Sequence, residues 1–458
     1  MKPMFIRRIL QSILAAWLLI ACVAGAPALA AGVAASQPAW ICPQLNFPDS
    51  YTNAGYRILK PGKGDWLFRD QTDLVVRPPV SGAVVDDFSR LNRQLARSGV
   101  RLIVFIAPPR GVMMRDELDP AIMAATHFSP GIAEVSYRTT LARLQSANIG
   151  MANVLDILDT PQAKAADKPF YLPGDPHWTP YGASASALAI AQAIARYPQA
   201  STLPVHGFTT ALGPVKPVNQ NFYREAYRIC GQHYKPATSK VYVTSASGQA
   251  PVGLFGSDEV EVALVGTSFS TIEVGNFAGY LQQALRTEVA NYGIGGGGLS
   301  ESMLSYLSSD DYARVRPKFL IWEMQYHNLK EAADFPMILG AADGDCGKAA
   351  LAEGRAVPVG MGRTPVLTIG PLQASRLKGP TDVVVDLTGP DARLYHIEVD
   401  YRDEHSDLFA VDASRWTHPA NRTILHLAGD GAELASVSLV PDQRLTGQVS
   451  AHICRAPV

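Results

Sequence analysis

Three residues in two short segments have the types and spacing needed for acyl transfer through a serine. Asp175 and His177 lie two positions apart in the sequence GDPHWTPYG (174–182), and Ser268 lies in the sequence GTSFS (266–270). A serine hydroxyl becomes a nucleophile when an imidazole takes its proton, and a carboxylate can hold that imidazole in the required tautomer. We therefore predict Ser268 as the nucleophile, His177 as the general base and Asp175 as its orienting partner.

The segments around these residues are typical of strands and helices that would position them. An apolar run at 260–265 predicts a buried strand before Ser268, and 276–286 predicts a helix after it. The Asp-x-His pair precedes a helix predicted over 183–196. A serine on a strand-to-helix turn can keep its hydroxyl exposed beside free backbone N–H groups. A serine that only caps the next helix is the alternative for Ser268 alone.

A glycine-rich turn follows the next predicted strand. Its sequence is NYGIGGGG (291–298), and the absence of a following Gly-Lys-Ser/Thr excludes a P-loop. Such a turn can present free N–H groups to an oxyanion. We predict that the N–H of Ser268 and that of Gly295 or Gly296 form the oxyanion hole, with a merely flexible loop as the alternative.

The rest of the chain predicts an α/β fold followed by a β module. Before residue 330, the sequence predicts four further strands, at 101–107, 151–158, 287–292 and 318–322. It predicts three further helices, at 87–98, 132–147 and 299–308. The stretch 200–258 is predicted to be irregular. This alternation predicts a parallel sheet flanked by helices, with sites beyond the carboxyl ends of its strands. Periodicity is lost over 341–364. Short β-type segments follow at 382–386, 393–399, 423–427 and 435–440, which predicts a C-terminal β-sandwich.

The N-terminus predicts export. Three basic residues precede an apolar stretch that ends near Ala28–Ala30, a typical peptidase site. Cys22 lies in a sequence that resembles a lipobox, so its lipidation is an open alternative. The resulting division is a signal peptide at 1–30, an α/β domain at 31–344 and a β-sandwich at 345–458.

Four cysteines remain after the signal, an even number that favours disulfides in an exported protein. We favour Cys42–Cys230 and Cys346–Cys454, because this pairing places one bridge in each half of the chain. The two other connectivities and buried free thiols stay open. The spacing does not suit a zinc ribbon, no third ligand accompanies Asp175 and His177, and we predict no metal or cofactor.

Charge restricts the partners. The 40 basic and 41 acidic side chains, less three basic ones in the signal, give the mature chain a net charge of −4. Nucleic acid is therefore not expected as a partner, and a polyanion would need a local basic patch.

Together these motifs resemble the SGNH-type hydrolases and acyltransferases. The Asp-x-His precedes the serine, the reverse of the usual order. This inversion, with GDPHWTPYG and GTSFS, resembles the AlgX family of alginate O-acetyltransferases. The usual asparagine block is not evident, since WEMQYHN (322–328) stands where it would fall, so the third oxyanion donor is open.

The resemblance implies an SGNH-like sheet and a C-terminal carbohydrate-binding sandwich in a monomeric, periplasmic enzyme. It implies that an acetyl-serine passes its acetyl group to an anionic exopolysaccharide such as alginate. Because cytosolic acetyl-CoA is out of reach, the donor would be a membrane O-acyltransferase. The alternatives are a carbohydrate acetylesterase and a non-catalytic polymer-binding scaffold. Candidate sugar contacts are Tyr326, Arg110 and Trp416, with Arg415 beside it, because aromatic rings stack on sugars and arginine pairs with carboxylates. Core packing is favoured for Trp322.

Overall fold

The computed structural model describes residues 41–160, 168–218, 220–247, 260–330, 334–343, 350–389 and 392–456. The predicted signal peptide, with Cys22, lies outside these ranges. Within them, no helix is both long enough and apolar enough to cross a membrane. The longer helices are Gly82–Arg97, Pro120–Thr126, Pro130–Ser146, Pro180–Ile194, Asn221–Cys230, Phe277–Leu285, Glu301–Leu307 and Phe335–Asp343. Shorter helices are Asp70–Asp73, Arg110–Met113, Val154–Leu158, Ser268–Thr271, Asp310–Arg314 and Pro371–Ala374.

Five parallel strands form the central sheet. A short antiparallel pair, β1 (Leu59–Pro61) and β2 (Leu67–Arg69), precedes it. The sheet order is β4-β3-β9-β7-β8, with strands β3 (Arg101–Ala107), β4 (Gly150–Ala152), β7 (Val262–Val265), β8 (Ala290–Asn291) and β9 (Phe319–Gln325). Apolar clusters fill both faces of this sheet beneath the helices. The predicted SGNH-like α/β architecture is confirmed, and Ser268 follows the carboxyl end of β7.

Two predicted segments differ most from the structure, and the strand predicted over 287–292 is shortened to β8. The strand predicted over 151–158 is only β4, because the Asn153 side chain accepts the N–H of Leu155 at 3.1 Å and starts the helix Val154–Leu158. The stretch 200–258, predicted to be irregular, contains the antiparallel ribbon β5 (Gly207–Pro217) and β6 (Thr238–Ser247) and the helix Asn221–Cys230. The ribbon is largely exposed, so its strands lack the apolar alternation that marks a half-buried strand.

The C-terminal part is a sandwich of two antiparallel sheets, as predicted. One sheet has the order β10-β18-β13-β16, with β11 also paired to β18, and the other has the order β12-β17-β14-β15. The strands are β10 (Ala352–Glu353), β11 (Val357–Pro358), β12 (Thr364–Thr368), β13 (Thr381–Leu387), β14 (Leu394–Tyr401), β15 (Ser406–Asp412), β16 (Arg422–Leu427), β17 (Leu434–Pro441) and β18 (Gln448–Arg455). Along β14, Tyr395, Ile397 and Val399 are buried while the residues between them are more exposed, the period of two of a half-buried strand.

The sandwich packs closely against the α/β part. A Cβ at Gly340, in the helix Phe335–Asp343, would lie 2.2 Å from the Ile424 carbonyl of β16, so only glycine permits this approach. The predicted boundary near residue 345 falls after that helix and stays a prediction, because 344–349 lie outside the described residues.

One of the two predicted disulfides is within the described residues. Cys42 is joined to Cys230 with a Cα–Cα distance of 5.9 Å, which confirms that pairing. Cys346 lies outside the described residues, so its predicted bridge to Cys454, buried on β18, stays a prediction.

Candidate active site

Ser268, His177 and Asp175 form one hydrogen-bonded row. The Nε2 of His177 is 2.8 Å from the Ser268 hydroxyl, and its Nδ1 is 2.5 Å from Oδ1 of Asp175. Asp175 is fully buried, His177 nearly so, and Ser268 is half-buried. The tautomer that donates from Nδ1 to the carboxylate leaves Nε2 free to accept the serine proton. The arrangement can therefore activate a solvent-facing serine.

The loop that carries Asp175 and His177 is anchored at its base by Trp178. This indole is fully buried and packs edge-on against Phe269, with ring centroids 4.9 Å apart. The backbone N–H of Leu172 donates to the His177 carbonyl at 3.0 Å, which closes the loop. Trp178 therefore holds the loop of His177 against Phe269, the residue that follows the nucleophile.

Asn221 is a site residue that sequence reasoning missed. Its backbone N–H and its side-chain amide donate to Oδ2 of Asp175 at 3.1 and 2.8 Å. Oδ1 remains for His177, so both carboxylate oxygens are engaged. Asn221 lies in the stretch that was predicted to be irregular, 46 residues after Asp175, and no local sequence pattern connects these two residues.

Arg110 does not line an open sugar cleft, which corrects the prediction. It is 3% exposed, and it donates to the carbonyls of Pro173 at 2.8 Å and Leu67 at 3.2 Å. Burial lowers the pKa of Arg110 to about 10, although Asp73 nearby opposes this. Its guanidinium therefore supports the backbone just before Asp175 and is out of reach of a polymer carboxylate.

The turn that carries Ser268 rests on a buried glutamate. Glu323, on β9, accepts the N–H of Thr267 at 2.7 Å and the Ser270 hydroxyl at 2.9 Å. Gly266 permits this packing, because a Cβ there would lie 2.3 Å from Oγ of Ser270 and 2.5 Å from Oε2 of Glu323. Glu323 belongs to the segment 322–328, which stands where the superfamily usually has its asparagine block. The parallel pairing of β7 with β9 brings Glu323 beneath the nucleophile.

The predicted backbone donors for an oxyanion belong to the serine turn and to the glycine turn. In the described part of the chain, the N–H groups of Thr267, Phe269 and Ser270 are hydrogen-bonded, and that of Ser268 is not. A Cβ at Gly295 would lie 3.8 Å from the Ser268 Cβ, whereas one at Gly296 would lie 3.3 Å from Nη1 of Arg415. Gly295 thus adjoins the serine, and Gly296 faces the sandwich.

Asn291 joins the glycine turn to the serine turn. Its amide donates to the Ser270 carbonyl at 2.8 Å and its Oδ1 accepts the N–H of Gly293 at 3.0 Å. The backbone N–H of Ile294 donates to the Gly266 carbonyl at 2.9 Å. These bonds fix the distance between the two predicted sources of oxyanion donors.

Two predicted sugar-stacking aromatics are buried. Tyr326 is 7% exposed, and its hydroxyl lies 3.1 Å from that of Ser136 in the core, so its predicted role in the cleft is wrong. Trp322 is a core residue, as favoured, and donates to the Leu299 carbonyl at 3.1 Å. Trp416 is 8% exposed, so it offers no open face on the surface, contrary to the prediction.

Trp416 instead lines a cavity of about 330 Å³ between the α/β part and the sandwich. Gly296, Glu301 and Arg415 also line this space, and Arg415 pairs with Glu301 across it through Nε at 3.0 Å. We name it the seam cavity. Within the described ranges, no group of three or more His, Cys, Asp or Glu side chains converges as a metal site.

Comparison with known proteins agrees with this geometry. A family model described as an SGNH hydrolase-like domain, acetyltransferase AlgX, matches residues 59–326, more than half of the chain. The chain belongs to this family. The alginate biosynthesis protein AlgX of Pseudomonas aeruginosa is 28% identical over 91% of this chain and 89% of its own length.

A second relative and one solved structure extend the match. The probable alginate O-acetylase AlgJ of Pseudomonas putida is 31% identical over 57% of this chain and 68% of its own length. The structure of Pseudomonas aeruginosa AlgX superposes with a TM-score of 0.77 at 26% identity, covering 91% of this chain and all of that chain. As a member of the AlgX family, the chain is an O-acetyltransferase with an SGNH-like domain.

Proposed function

We propose that this protein O-acetylates an anionic exopolysaccharide, alginate or a close relative, in the periplasm, through an acetyl group carried on Ser268. The observation that carries the proposal is the hydrogen-bonded row of Ser268, His177 and Asp175 at the carboxyl end of β7 in a domain of the AlgX family. The named activity of the AlgJ relatives and the alginate biosynthesis role of the AlgX relatives support the choice of polymer.

In the first step the Ser268 oxygen attacks the acetyl carbonyl of a donor ester. Nε2 of His177 takes the serine proton, and Asp175 stabilises the resulting imidazolium through Nδ1. We assign the N–H groups of Ser268 and Gly295 to receive the negative charge on the carbonyl oxygen, and each such donor contributes about 3 kcal/mol. The donor bond then breaks, its leaving group takes the proton from His177, and acetyl-Ser268 remains.

In the second step a sugar hydroxyl of the polymer attacks acetyl-Ser268. His177 removes the hydroxyl proton and returns it to the serine oxygen as the acetyl–serine bond breaks. Water would give hydrolysis instead, so an acceptor that fills the site favours transfer. An exported enzyme would take its acetyl group from a membrane O-acyltransferase rather than from acetyl-CoA.

We further propose that the polymer extends from Ser268 over the glycine turn to the seam cavity. Gly295 adjoins the serine while Gly296 adjoins Arg415, so one short turn connects the two places. Arg415 keeps a partly exposed guanidinium that could meet a uronate carboxylate. Arg415 is thus the proposed polymer contact of the sandwich, and the buried Trp416 lines the cavity beside it.

The first test is acetylation of the serine. Wild-type protein incubated with p-nitrophenyl acetate should carry one acetyl group on Ser268 by peptide mass mapping, and Ser268→Ala should carry none. We expect turnover to fall roughly 10⁴-fold or more, as for removal of other catalytic serines. Ser89→Ala, in the helix Gly82–Arg97, is the matched control and should behave as wild type.

Adding an oligomannuronate acceptor separates transfer from hydrolysis. Acetylated oligosaccharide should form with wild type and not with Ser268→Ala. Acetyl label on a different serine would contradict the nucleophile, and release of acetate alone, without acetylated sugar, would indicate an esterase.

A further inference from the structure

We propose that Glu323 is a positioning residue for the nucleophile, holding the backbone turn that aims the Ser268 hydroxyl and its oxyanion N–H. The proposal rests on the proposed role of Ser268 and adds a residue outside the Ser-His-Asp row. Glu323 is fully buried at the centre of the sheet, on the strand beside the one that ends in the nucleophile turn.

Within the described residues, the hydrogen bonds of the Glu323 carboxylate all come from this turn. Thr267 donates its backbone N–H at 2.7 Å and its hydroxyl at 3.1 Å, and Ser270 donates its hydroxyl at 2.9 Å. These donors flank Ser268 on both sides. Bonds to an ionised acceptor are roughly twice as strong as neutral ones, so the carboxylate fixes the turn more firmly than a neutral group could.

The geometry leaves little freedom in this contact. Gly266 brings its backbone against the carboxylate where a Cβ would lie 2.5 Å from Oε2. The Thr267 hydroxyl in turn accepts the N–H of Phe269 at 3.3 Å, so the same network starts the short helix Ser268–Thr271. A shift of the turn would move the serine away from Nε2 of His177.

The ionisation of Glu323 is coupled to the site. Burial raises its pKa to about 7, while the hydrogen bonds from Thr267 and Ser270 and the nearby His177 oppose this. His177 is the titratable group that faces it, with Asp175 on the other side of that imidazole. A protonated Glu323 would bring its own O–H to a place where every neighbour donates, and the Thr267 N–H cannot turn away. The turn should therefore loosen as Glu323 takes up a proton.

The test compares Glu323→Ala and Glu323→Gln in the full chain with p-nitrophenyl acetate as substrate. Glu323→Ala should lower kcat roughly 10²-fold with little change in KM, the scale expected for a misplaced reacting group. Glu323→Gln keeps an acceptor for Thr267 and Ser270, so kcat should recover to within roughly tenfold of wild type.

The pH profile separates positioning from a merely structural role. In wild type the acid limb of log kcat against pH should include a fall of up to about one unit centred near pH 7, where Glu323 takes up its proton, and this step should be absent in Glu323→Gln. Asp382→Asn is the control, because Asp382 is also buried and paired, with His426 at 2.9 Å, but lies in the sandwich. It should lower the melting temperature without changing kcat or the acid limb.

Two results would overturn the proposal. One is a Glu323→Gln acid limb identical to wild type together with unchanged kcat in Glu323→Ala. The other is an equal loss of kcat in Asp382→Asn, which would reduce Glu323 to general stability. If Glu323→Ala does not fold, the Gln variant and Ser270→Ala, which removes one donor, decide the question. Full activity in Ser268→Ala would instead overturn the proposed function and leave the geometry of the turn unaffected.

Discussion

Asp175 can act in one orientation only, because each of its two oxygens has its own donors. Oδ1 receives His177 and Oδ2 receives Asn221 twice, while the Pro173 carbonyl just before it is held by Arg110. A buried carboxylate with this many donors is held in one orientation, as the partner of an imidazolium must be. Asn221 and Arg110 therefore belong to the support of the site, although neither reaches the serine.

We expect Asn221→Ala to weaken catalysis without abolishing it. The variant removes the side-chain hydrogen bond to Asp175 and keeps the backbone one. A hydrogen bond to a charged group contributes about 1.5–3 kcal/mol, so kcat should fall roughly 10- to 100-fold. Steady-state kinetics with a small acetyl ester measures this, and Asn92→Ala, which alters a half-buried asparagine far from Asp175 in the fold's first long helix, is the control. Unchanged kcat would show that Asn221 only packs.

The stability of the protein should depend on pH through Glu323. Its pKa is about 7 in the fold and about 4.5 in the unfolded chain, so between these values the folded state holds more protons. The cost of burying the charge exceeds the gain from the hydrogen bonds that ionised Glu323 accepts, so stability from this group is present below about pH 4.5 and lost as pH rises through about 7, by roughly 3 kcal/mol at most. Urea unfolding at pH 5 and pH 8 should show this loss in wild type and not in Glu323→Gln. A larger loss in the Gln variant would contradict the assignment.

At the scale of elements, the helix Asn221–Cys230 links the first residues of the fold to the catalytic loop. Its first residue holds Asp175, and its last residue is bonded to Cys42. The N–H of Phe222 also donates to the Gly174 carbonyl at 3.0 Å. Both ends of the helix are therefore fixed, the first by hydrogen bonds to the catalytic loop and the last by the disulfide.

Removing the disulfide should affect both stability and activity. Replacing Cys42 and Cys230 by serine should cost about 2–5 kcal/mol in the free energy of unfolding, the range for a native bridge in an exported protein. It should also lower kcat, because Asn221 lies on the released helix. Denaturation and kinetics of the double variant measure the two effects. Loss of stability with unchanged kcat at low temperature would show that the helix stays in place without its clamp.

The second predicted bridge can be checked chemically. Peptide mapping without reduction should yield Cys346 joined to Cys454 and Cys42 joined to Cys230. A bridge at Cys454 would tie the last strand of the sandwich to the segment that follows the helix Phe335–Asp343. Any other partner for Cys346 would contradict the proposed boundary near residue 345.

At the scale of the whole molecule, the α/β part and the sandwich share a surface, so the proposed acceptor can contact both. Without the predicted signal peptide the chain has a net charge of −4, which repels a polyuronate overall. We therefore expect binding to depend on local cations, screened over about 10 Å at 0.1 M salt. Arg110, one of the predicted sugar contacts, is buried and donates to the carbonyls of Leu67 and Pro173 instead. Arg415 remains, paired with Glu301 at the seam cavity.

We expect polyuronate binding to weaken with added salt and with Arg415→Ala. The variant should raise Kd roughly tenfold, the equivalent of about 1.5 kcal/mol for a charged hydrogen bond, and leave turnover of a small acetyl ester unchanged. Arg314→Ala, which changes the charge equally at an exposed site, should have little effect. A fall in small-ester turnover with Arg415→Ala would instead indicate that this residue supports the glycine turn.

The amino-acid sequence alone determined the residue types that do chemistry and the kinds of element that carry them. Gly-Thr-Ser after an apolar run, Asp-x-His before a helix and alternating strands and helices are local patterns with periods that can be read directly. Ser268, His177 and Asp175, the sheet and the sandwich follow from such patterns. The ribbon β5–β6 did not, because its exposed strands carry no such period.

Only the tertiary structure decided which distant groups meet. Asn221 reaches Asp175, Glu323 lies beneath Ser268, and Arg110 and Tyr326 turn inward rather than toward a polymer. Each of these depends on the packing of segments far apart in sequence, and an arginine or tyrosine has the same type whether it is buried or exposed. Residue type limits what a side chain can do; the neighbours that the fold supplies decide whether it does so.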